Sequence, residues 1–254
     1  MSIGIALQLF TLREQAKADF AGMLREVAAA GYEAVEFAGY GGMDTVALRA
    51  LLDELGLRAV SSHVGYQRFL QEPAAAIDEL QTLGCNYAVV PELPNDVKNR
   101  ESAPALAERF NSWGEQCRAA GLRLGYHNHA WEFAPMGDTT MFDLIATGTD
   151  PHLVDLQIDV FWALVGGVDP AALVQKHAGR VPTLHAKELA TPGERVDTTI
   201  GDGATDWASL LPAAEAAGTA WLIVEQEDDV ANAYRDIRRS LANLRHLTGA
   251  TTTA

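Results

Sequence analysis

Basic residues are scarce in this chain of 254 residues. It has 19 lysines and arginines against 34 aspartates and glutamates, and its formal net charge is -15. A protein that binds DNA or RNA needs lysine and arginine to displace counterions from the phosphates, so this balance argues against a nucleic-acid partner.

Cysteines and long apolar runs are also few. The two cysteines, Cys85 and Cys117, form neither a disulfide framework nor a metal-ligand spacing, which favours a reducing compartment. No segment is long and apolar enough to cross a bilayer. Residues 1–8 enter a strand pattern directly, without the basic and apolar segments of a signal peptide. These absences predict a cytoplasmic protein without a membrane partner.

What the chain does have is an even alternation of short apolar runs and longer amphipathic runs, which is typical of βαβ units and a parallel sheet. Its length suits one (β/α)8 barrel, and 48% hydrophobic residues suit a globular protein. Eight strands are predicted at residues 3–10, 34–38, 58–63, 87–92, 123–129, 154–159, 181–185 and 221–225.

Eight helices are predicted between these strands, and several end in a glycine suited to the left-handed position after a helix. They cover residues 19–30, 45–55, 73–83, 102–120, 139–146, 170–177, 207–217 and 230–247. The fold class expected is therefore α/β, a TIM barrel in which residues 1–254 form one domain. Residues 248–254 are small and polar, and we expect them to be a frayed tail.

Single polar residues close three of the apolar strands: Asp159, His185 and Glu225. An unpaired carboxylate in a protein interior costs several kcal/mol, so the two acids need a cation. Lysine or arginine could supply the charge, but oxygen and imidazole groups delivered by separate strand ends also suit a divalent metal at the mouth of a barrel.

Other candidate site residues surround these three. His127 and His129 share one face of a strand, and either could bind metal or transfer protons. Glu132 faces inward only if the chain turns over the barrel mouth. Lys187 lies two residues after His185 on the same side, where its charge could stabilise an enolate oxygen, unless it only pairs with an acidic neighbour such as Glu188.

Four further polar residues near strand ends are candidates for binding sugar hydroxyls or supporting the ligands: Gln8, Glu36, His63 and Glu92. Trp162 could form an apolar wall for a sugar ring or pack in the core. The long connection of residues 189–206 follows the seventh strand, where such loops are usually functional. Within it, Gly201 and Gly203 form a tight loop leading to the helix cap Asp206 rather than a phosphate site.

Five motifs in this order resemble the sugar phosphate isomerase/epimerase group of the xylose isomerase-like TIM barrels, and the resemblance covers essentially the whole chain. They are His127-Asn128-His129-x-x-Glu132-Phe133, Asp159, His185-x-Lys187, Ile200-Gly201-x-Gly203-x-x-Asp206-Trp207 and Val224-Glu225-Gln226.

The resemblance implies one divalent ion, Mn2+ or Mg2+ with Co2+ or Zn2+ as alternatives, held by Glu132, Asp159, His185 and Glu225. It implies a sugar or keto-sugar substrate and leaves a homo-oligomer open. The leading expectation is an isomerase or epimerase that transfers a proton beside a carbonyl through a metal-stabilised enediolate. Glu132 and Glu225 would flank the reacting carbon, with His127, His129 and Lys187 as further catalytic groups.

Two alternatives stay open. Ketose 3-epimerases of this superfamily carry a glutamate early in strand five, where this chain has Tyr126 or His127. Members with the His-Asn-His pattern include inosose dehydratase-like enzymes and enzymes of 3-keto-glycosides, so a lyase or hydrolase is the first alternative. There His127 or His129 would protonate the departing oxygen. A non-catalytic metal-binding barrel is the second. Endonuclease IV shares the barrel, but the acidic charge argues against DNA.

Overall fold

Eight parallel strands close into a barrel in the computed structural model, which describes residues 3–249. The ring order is β1-β8-β7-β6-β5-β4-β3-β2, and Gly4 opposite Trp221 belongs to the closing pair. This confirms the predicted TIM barrel. The strands are Gly4–Gln8 (β1), Ala34–Phe37 (β2), Arg58–His63 (β3), Tyr87–Val90 (β4), Arg123–His127 (β5), Val154–Asp159 (β6), Thr183–Ala186 (β7) and Trp221–Val224 (β8).

Helices surround the strands. Within the described residues they are Arg13–Ala18 (α1), Phe20–Ala29 (α2), Thr45–Leu55 (α3), Tyr66–Gln71 (α4), Pro73–Leu83 (α5), Ala103–Ala119 (α6), Met141–Gly148 (α7), Val160–Val165 (α8), Pro170–Lys176 (α9), Trp207–Ala216 (α10) and Ala233–Thr248 (α11). None of them is both long and apolar enough to span a membrane.

Helix α3 illustrates how local sequence sets the helix limits. The side chain of Asp44 accepts hydrogen bonds from the backbone N–H groups of Val46 and Ala47 and so caps the first turn. At the other end Gly56 has φ of 68°, a left-handed conformation that glycine adopts without a steric penalty. The predicted "helix, glycine, strand" unit is thereby confirmed for this helix.

Two apolar regions lie on opposite faces of the strands. The larger core fills the space between the strands and the helices. A separate small cluster contains Ala6, Ala34 and Ile223. Because side chains of a strand alternate between faces, the residues two positions later continue this second face toward the carboxyl ends of the strands. Those residues are polar: Gln8, Glu36 and Glu225.

The sequence analysis did not predict helices α1, α4 and α8, which follow β1, β3 and β6. Each has only six residues, too few to show a full amphipathic period. The predicted tail is only partly described: Thr248 is the last residue of α11 and Gly249 caps it, whereas residues 250–254 lie outside the described residues.

The long connection after β7 is organised by one buried carboxylate. Glu188–Leu189 pairs in antiparallel fashion with Asp197–Thr198. The Glu188 carboxylate accepts hydrogen bonds from Gly201 N and Thr205 N, both 2.8 Å, and from Trp207 Nε1, 2.6 Å. Glu188 therefore holds the loop and is not the acidic partner of Lys187, which contacts the Glu227 carboxylate instead. As predicted, Asp206 caps α10 by accepting from Ser209 N.

Two aspartates join the loop after β7 to the loop after β8. The Asp197 carboxylate accepts from Glu227 N at 2.7 Å and Asp228 N at 3.0 Å, and Asp197 N donates to Asp228 Oδ2 at 2.8 Å. The next residue, Asp229, has φ of 32°, a conformation that non-glycine residues adopt at a cost. The reciprocal bonds hold this strained turn at the barrel mouth.

We predict that Glu188→Ala lowers the free energy of unfolding by about 3 kcal/mol, because three donors lose their buried acceptor. Urea unfolding followed by circular dichroism measures the change. Glu115→Ala, at an exposed position of α6, is the control and should stay within about 0.5 kcal/mol of the parent. Equal effects of the two substitutions would contradict the role of Glu188.

Asp197→Ala should release the loop after β8, because two backbone N–H groups lose their acceptor. We expect amide hydrogen exchange at Glu227 and Asp228 to accelerate by roughly tenfold or more. Mass spectrometry of deuterated peptides measures this, with Thr198→Ala as the control. Unchanged exchange at these two amides would show that other contacts hold the loop.

Candidate functional site

Three side chains from neighbouring strand ends converge at the mouth of the barrel. Asp159 ends β6, His185 lies on β7, and Glu225 follows β8. His185 Nδ1 lies 2.9 Å from Glu225 Oε2 and 3.7 Å from Asp159 Oδ2, and one ligand atom of each residue lies within 4.8 Å of the others. All three are buried. The structure thus brings together three of the four residues predicted as metal ligands.

Asp159 is oriented by two local contacts. Its Oδ1 accepts from Trp162 N at 2.8 Å, which caps α8, and its own N–H donates to Asn128 Oδ1 at 3.1 Å. These contacts leave Oδ2 facing the cluster. It is buried and has no hydrogen-bond partner among the described residues. A bare carboxylate oxygen in this environment is costly, and a cation would remove the cost.

The charges at this site also suit a cation. Burial raises the pKa of Asp159, while the positive charges of Lys187 and His185 oppose the effect. Burial would raise the pKa of Glu225 too, but the same two groups hold it below its ordinary value. Burial would lower the pKa of His185, yet Glu36 and Glu225 raise it to about 10. The carboxylates around His185 therefore favour a proton on its imidazole ring. A divalent ion could replace the proton on Nδ1, the nitrogen that faces Asp159 and Glu225.

Glu36 forms the layer beneath His185. Its Oε1 accepts from His185 Nε2 at 2.6 Å and from Gln8 Nε2 at 2.7 Å. Its Oε2 accepts from Ser61 Oγ at 2.5 Å and from Gln157 Nε2 at 2.6 Å. Neither Gln8 nor Glu36 has any exposed surface. Gln8 and Glu36 were predicted either to bind sugar hydroxyls or to orient the metal ligands. Their complete burial favours the second role.

Lys187 is a buried, permanently charged group beside the cluster. Its Nζ contacts the Glu227 carboxylate and lies 4.0 Å from Glu225 Oε2. It also lies over the rings of Phe161 and Trp162, at 5.0 and 5.1 Å from their centroids. Burial would lower the pKa of Lys187, but the surrounding carboxylates raise it above its ordinary value. Lys187 thus contributes a fixed positive charge.

Three further histidines surround the ring of His185. His127 and His63 lie 4.5 and 5.4 Å from it between ring centroids. His129 lies 5.1 Å from His127 and is partly exposed, and its buried Nδ1 has no hydrogen-bond partner among the described residues. Burial lowers the pKa of His129 to about 4, so its ring is neutral at neutral pH.

Glu132 lies apart from the cluster. The chain after β5 turns into a single 3-10 turn, Trp131–Phe133, which directs the side chain of Glu132 away from the mouth. Its Oε1 accepts from Tyr126 OH at 2.7 Å and its Oε2 accepts from His129 N at 2.8 Å. Tyr126 belongs to the core outside the strands, where it packs 5.5 Å from Phe110. The structure therefore does not bring Glu132 to Asp159, His185 and Glu225.

An open cleft of about 470 Å³ lies above the cluster, a volume suited to a small molecule. Of the residues predicted to contact substrate, His63, Glu92 and Trp162 line it, whereas Gln8 and Glu36 do not. Its full lining is Phe10, Ala38, His63, Pro91, Glu92, His127, His129, Trp162, Glu225 and Glu227.

The sequence analysis missed two residues that orient the site. Asn128 holds the end of β6, and its place between two histidines of a motif was the available signal. Gln157 accepts at Oε1 from His63 Nε2, 2.9 Å, and from His127 Nδ1, 3.1 Å. Gln157 lies two residues before Asp159, so strand alternation would have placed both on one face.

Solved structures share the fold. A sugar phosphate isomerase/epimerase from Parabacteroides distasonis is 26% identical, has a TM-score of 0.81, and is aligned over 95% of this chain and 97% of its own. The IolI protein with a bound zinc atom is 13% identical with a TM-score of 0.79 over the full length of both chains. At that identity the second likeness shows the fold alone.

Curated relatives correct the leading functional expectation. An inosose dehydratase of Geobacillus kaustophilus is 27% identical over 84% of this chain and 81% of its own. One from Clostridium beijerinckii is 24% identical over 88% of each. The rhizopine catabolism protein MocC of Rhizobium meliloti is 25% identical over 92% and 84%. Dehydratases are lyases, so the expected isomerase or epimerase is wrong, and the lyase alternative is better supported.

The family comparison agrees with the geometry. The sequence profile of the xylose isomerase-like TIM barrels matches residues 24–247, which is most of the chain. The histidine and carboxylate groups of the described site lie at the carboxyl ends of the strands, where TIM-barrel enzymes carry their active sites. This chain belongs to the xylose isomerase-like TIM barrel family.

Proposed function

We propose that the protein is a metal-dependent dehydratase of an inosose-type substrate, a cyclic polyol with one ring carbon oxidised to a ketone. One observation carries the proposal: the buried Oδ2 of Asp159, which has no hydrogen-bond partner within residues 3–249, faces His185 and Glu225 beneath an open cleft. The similarity to inosose dehydratases supports the reaction class.

Asp159, His185 and Glu225 would hold the divalent ion, which would polarise the ketone and a neighbouring hydroxyl of the substrate. Two carboxylates and an imidazole suit such an ion, because both acids are buried where an unbalanced negative charge is costly. Asn128 and the first turn of α8 hold Asp159 in the orientation that this requires.

His129 would transfer the proton. It lines the cleft, its Nδ1 has no hydrogen-bond partner among the described residues although Glu92 Oε2 lies 3.7 Å away, and its ring lies 5.3 Å from that of Trp162. A neutral imidazole there can remove the proton beside the ketone and then deliver it to the hydroxyl leaving the next carbon. A C–H and a C–O bond break, a carbon–carbon double bond forms, and water departs.

Lys187 would stabilise the enolate that forms when the proton leaves. Its contacts with Glu227 and Phe161 fix the ammonium group and keep it charged. Glu132 would have a positioning role, because its carboxylate accepts from the backbone N–H of His129 and so sets where that ring stands. These assignments give Glu132 no contact with the reacting carbon.

The reaction is tested by incubating the protein with an inosose, reading the product by mass spectrometry, and repeating after chelation. We expect a product lighter by one water, loss of turnover without metal, and recovery when a divalent ion is returned. An isomer of unchanged mass, or cleavage of 3-keto-glycosides without dehydration of any inosose, would contradict the proposal.

His129→Gln should lower kcat for dehydration by about 10²- to 10⁴-fold, because the proton acceptor is lost while the metal ligands remain. Steady-state kinetics on the metal-loaded protein measures this. His246→Gln, at an exposed position of α11, is the matched control and should retain parental kcat. Parental activity in the His129 variant would remove this residue from the mechanism.

A further inference from the structure

Three side chains leave coordination positions of the proposed metal ion open. Asp159, His185 and Glu225 supply one atom each, while structural and catalytic ions of this type are usually held by three or four protein groups plus substrate or water. The family resemblance points to Glu132 as the fourth, but both oxygens of Glu132 already accept hydrogen bonds outside the barrel mouth. Any fourth protein ligand must therefore be another residue near Asp159.

The amide of Gln157 indicates which residue this is. Gln157 Nε2 lies 2.6 Å from Glu36 Oε2. Four other side chains also approach this carboxylate: Gln8, Ser61, His63 and His185. The Glu36 carboxylate can only accept hydrogen bonds, so the Gln157 atom that faces it must be the donor, the amide nitrogen. The amide oxygen, Oε1, therefore points the other way. There it meets two imidazole nitrogens, His63 Nε2 at 2.9 Å and His127 Nδ1 at 3.1 Å.

This orientation determines the tautomer of His127. Because Gln157 Oε1 only accepts, the proton of the neutral His127 ring sits on Nδ1, and Nε2 carries the lone pair. That nitrogen lies 4.0 Å from Asp159 Oδ2, the carboxylate oxygen that lacks a hydrogen-bond partner in the described part of the chain. Two ligand atoms, each about 2.1 Å from a shared ion, can be up to ~4.2 Å apart.

His185 is oriented by the same network. Glu36 Oε1 accepts from His185 Nε2 at 2.6 Å, so the other nitrogen, Nδ1, is the one that faces Asp159 and Glu225. Glu36 and Gln157 thus turn one nitrogen of each imidazole, His185 Nδ1 and His127 Nε2, toward Asp159 Oδ2. Metal-binding histidines are usually oriented in this way, by a hydrogen bond from the ring nitrogen that does not bind the metal.

His63 does not join them. Its Nε2 lies between two acceptors, Glu36 Oε1 at 3.1 Å and Gln157 Oε1 at 2.9 Å, so this nitrogen carries a proton. Although His63, His127 and His185 lie close enough to hold an ion, the hydrogen bonds of His63 and the use of His185 Nε2 by Glu36 argue against a second centre there.

We infer that His127 is the fourth ligand of the ion in place of Glu132, and that Gln157, held by Glu36, positions it. The inference rests on the proposed metal-dependent function. A set of two imidazoles and two carboxylates is softer than one imidazole with three carboxylates, and it favours Zn2+ or Co2+ over Mg2+. The expected preference therefore departs from the Mn2+ or Mg2+ that the family resemblance implies.

Metal binding without substrate tests the inference, so its outcome is independent of the dehydration assay. Co2+ is titrated into metal-free protein by calorimetry, comparing His127→Gln with Glu132→Gln, two buried residues each changed to a neutral amide. We expect His127→Gln to raise the Kd at least about tenfold and Glu132→Gln to change it less than about threefold. The reverse order of effects would overturn the assignment.

Proton NMR of the Co2+-loaded parent protein gives a second readout that needs no variant to fold. Each histidine that binds cobalt contributes one strongly shifted exchangeable N–H signal, and those of His127 and His185 are buried against Gln157 and Glu36. We expect two such signals, and one in His127→Gln. A single signal in the parent protein would show that only one histidine binds the ion and would refute the role of His127.

Discussion

Uncompensated negative charge at the mouth of the barrel is the constraint on which the site depends. Asp159, Glu225 and Glu36 all contact or approach His185, and none of them has appreciable access to water. Carboxylates in such a place persist only with positive charge and hydrogen bonds around them. Lys187 supplies part of that charge, and a divalent ion that takes the place of the proton on His185 Nδ1 would supply the rest.

The same constraint explains why so much of the surrounding backbone is held by side chains. Asn128 and the start of α8 hold Asp159, and Glu36 holds His185 from below. Farther out, Asp197 ties the loop that carries Glu227 to the loop after β7, which keeps Glu227 beside Lys187. Each contact restricts the side-chain conformations of a charged group. Asp159, His185 and Glu225 are therefore already in place before any substrate binds.

Local patterns were enough to predict the barrel. Strand alternation and helix-ending glycines depend on neighbours within a few residues, and the limits of β3, β6, α3 and α5 agree with the prediction. The short helix α8 was missed because it has too few residues for a periodic signal. Its first turn nevertheless orients Asp159, because Trp162 N donates to the Asp159 carboxylate, so part of the site depends on an element that the pattern does not reveal.

Sequence alone determined that Asp159, His185 and Glu225 meet, because parallel strands of a closed barrel bring their carboxyl ends to one rim. Only the tertiary structure decided which residue of the His-Asn-His-x-x-Glu motif faces them. The turn after β5 carries Glu132 outward to Tyr126, while Gln157 orients His127 inward. Spacing cannot show this, because the path of a chain beyond a strand end and the tautomer of a buried imidazole depend on contacts made across the barrel.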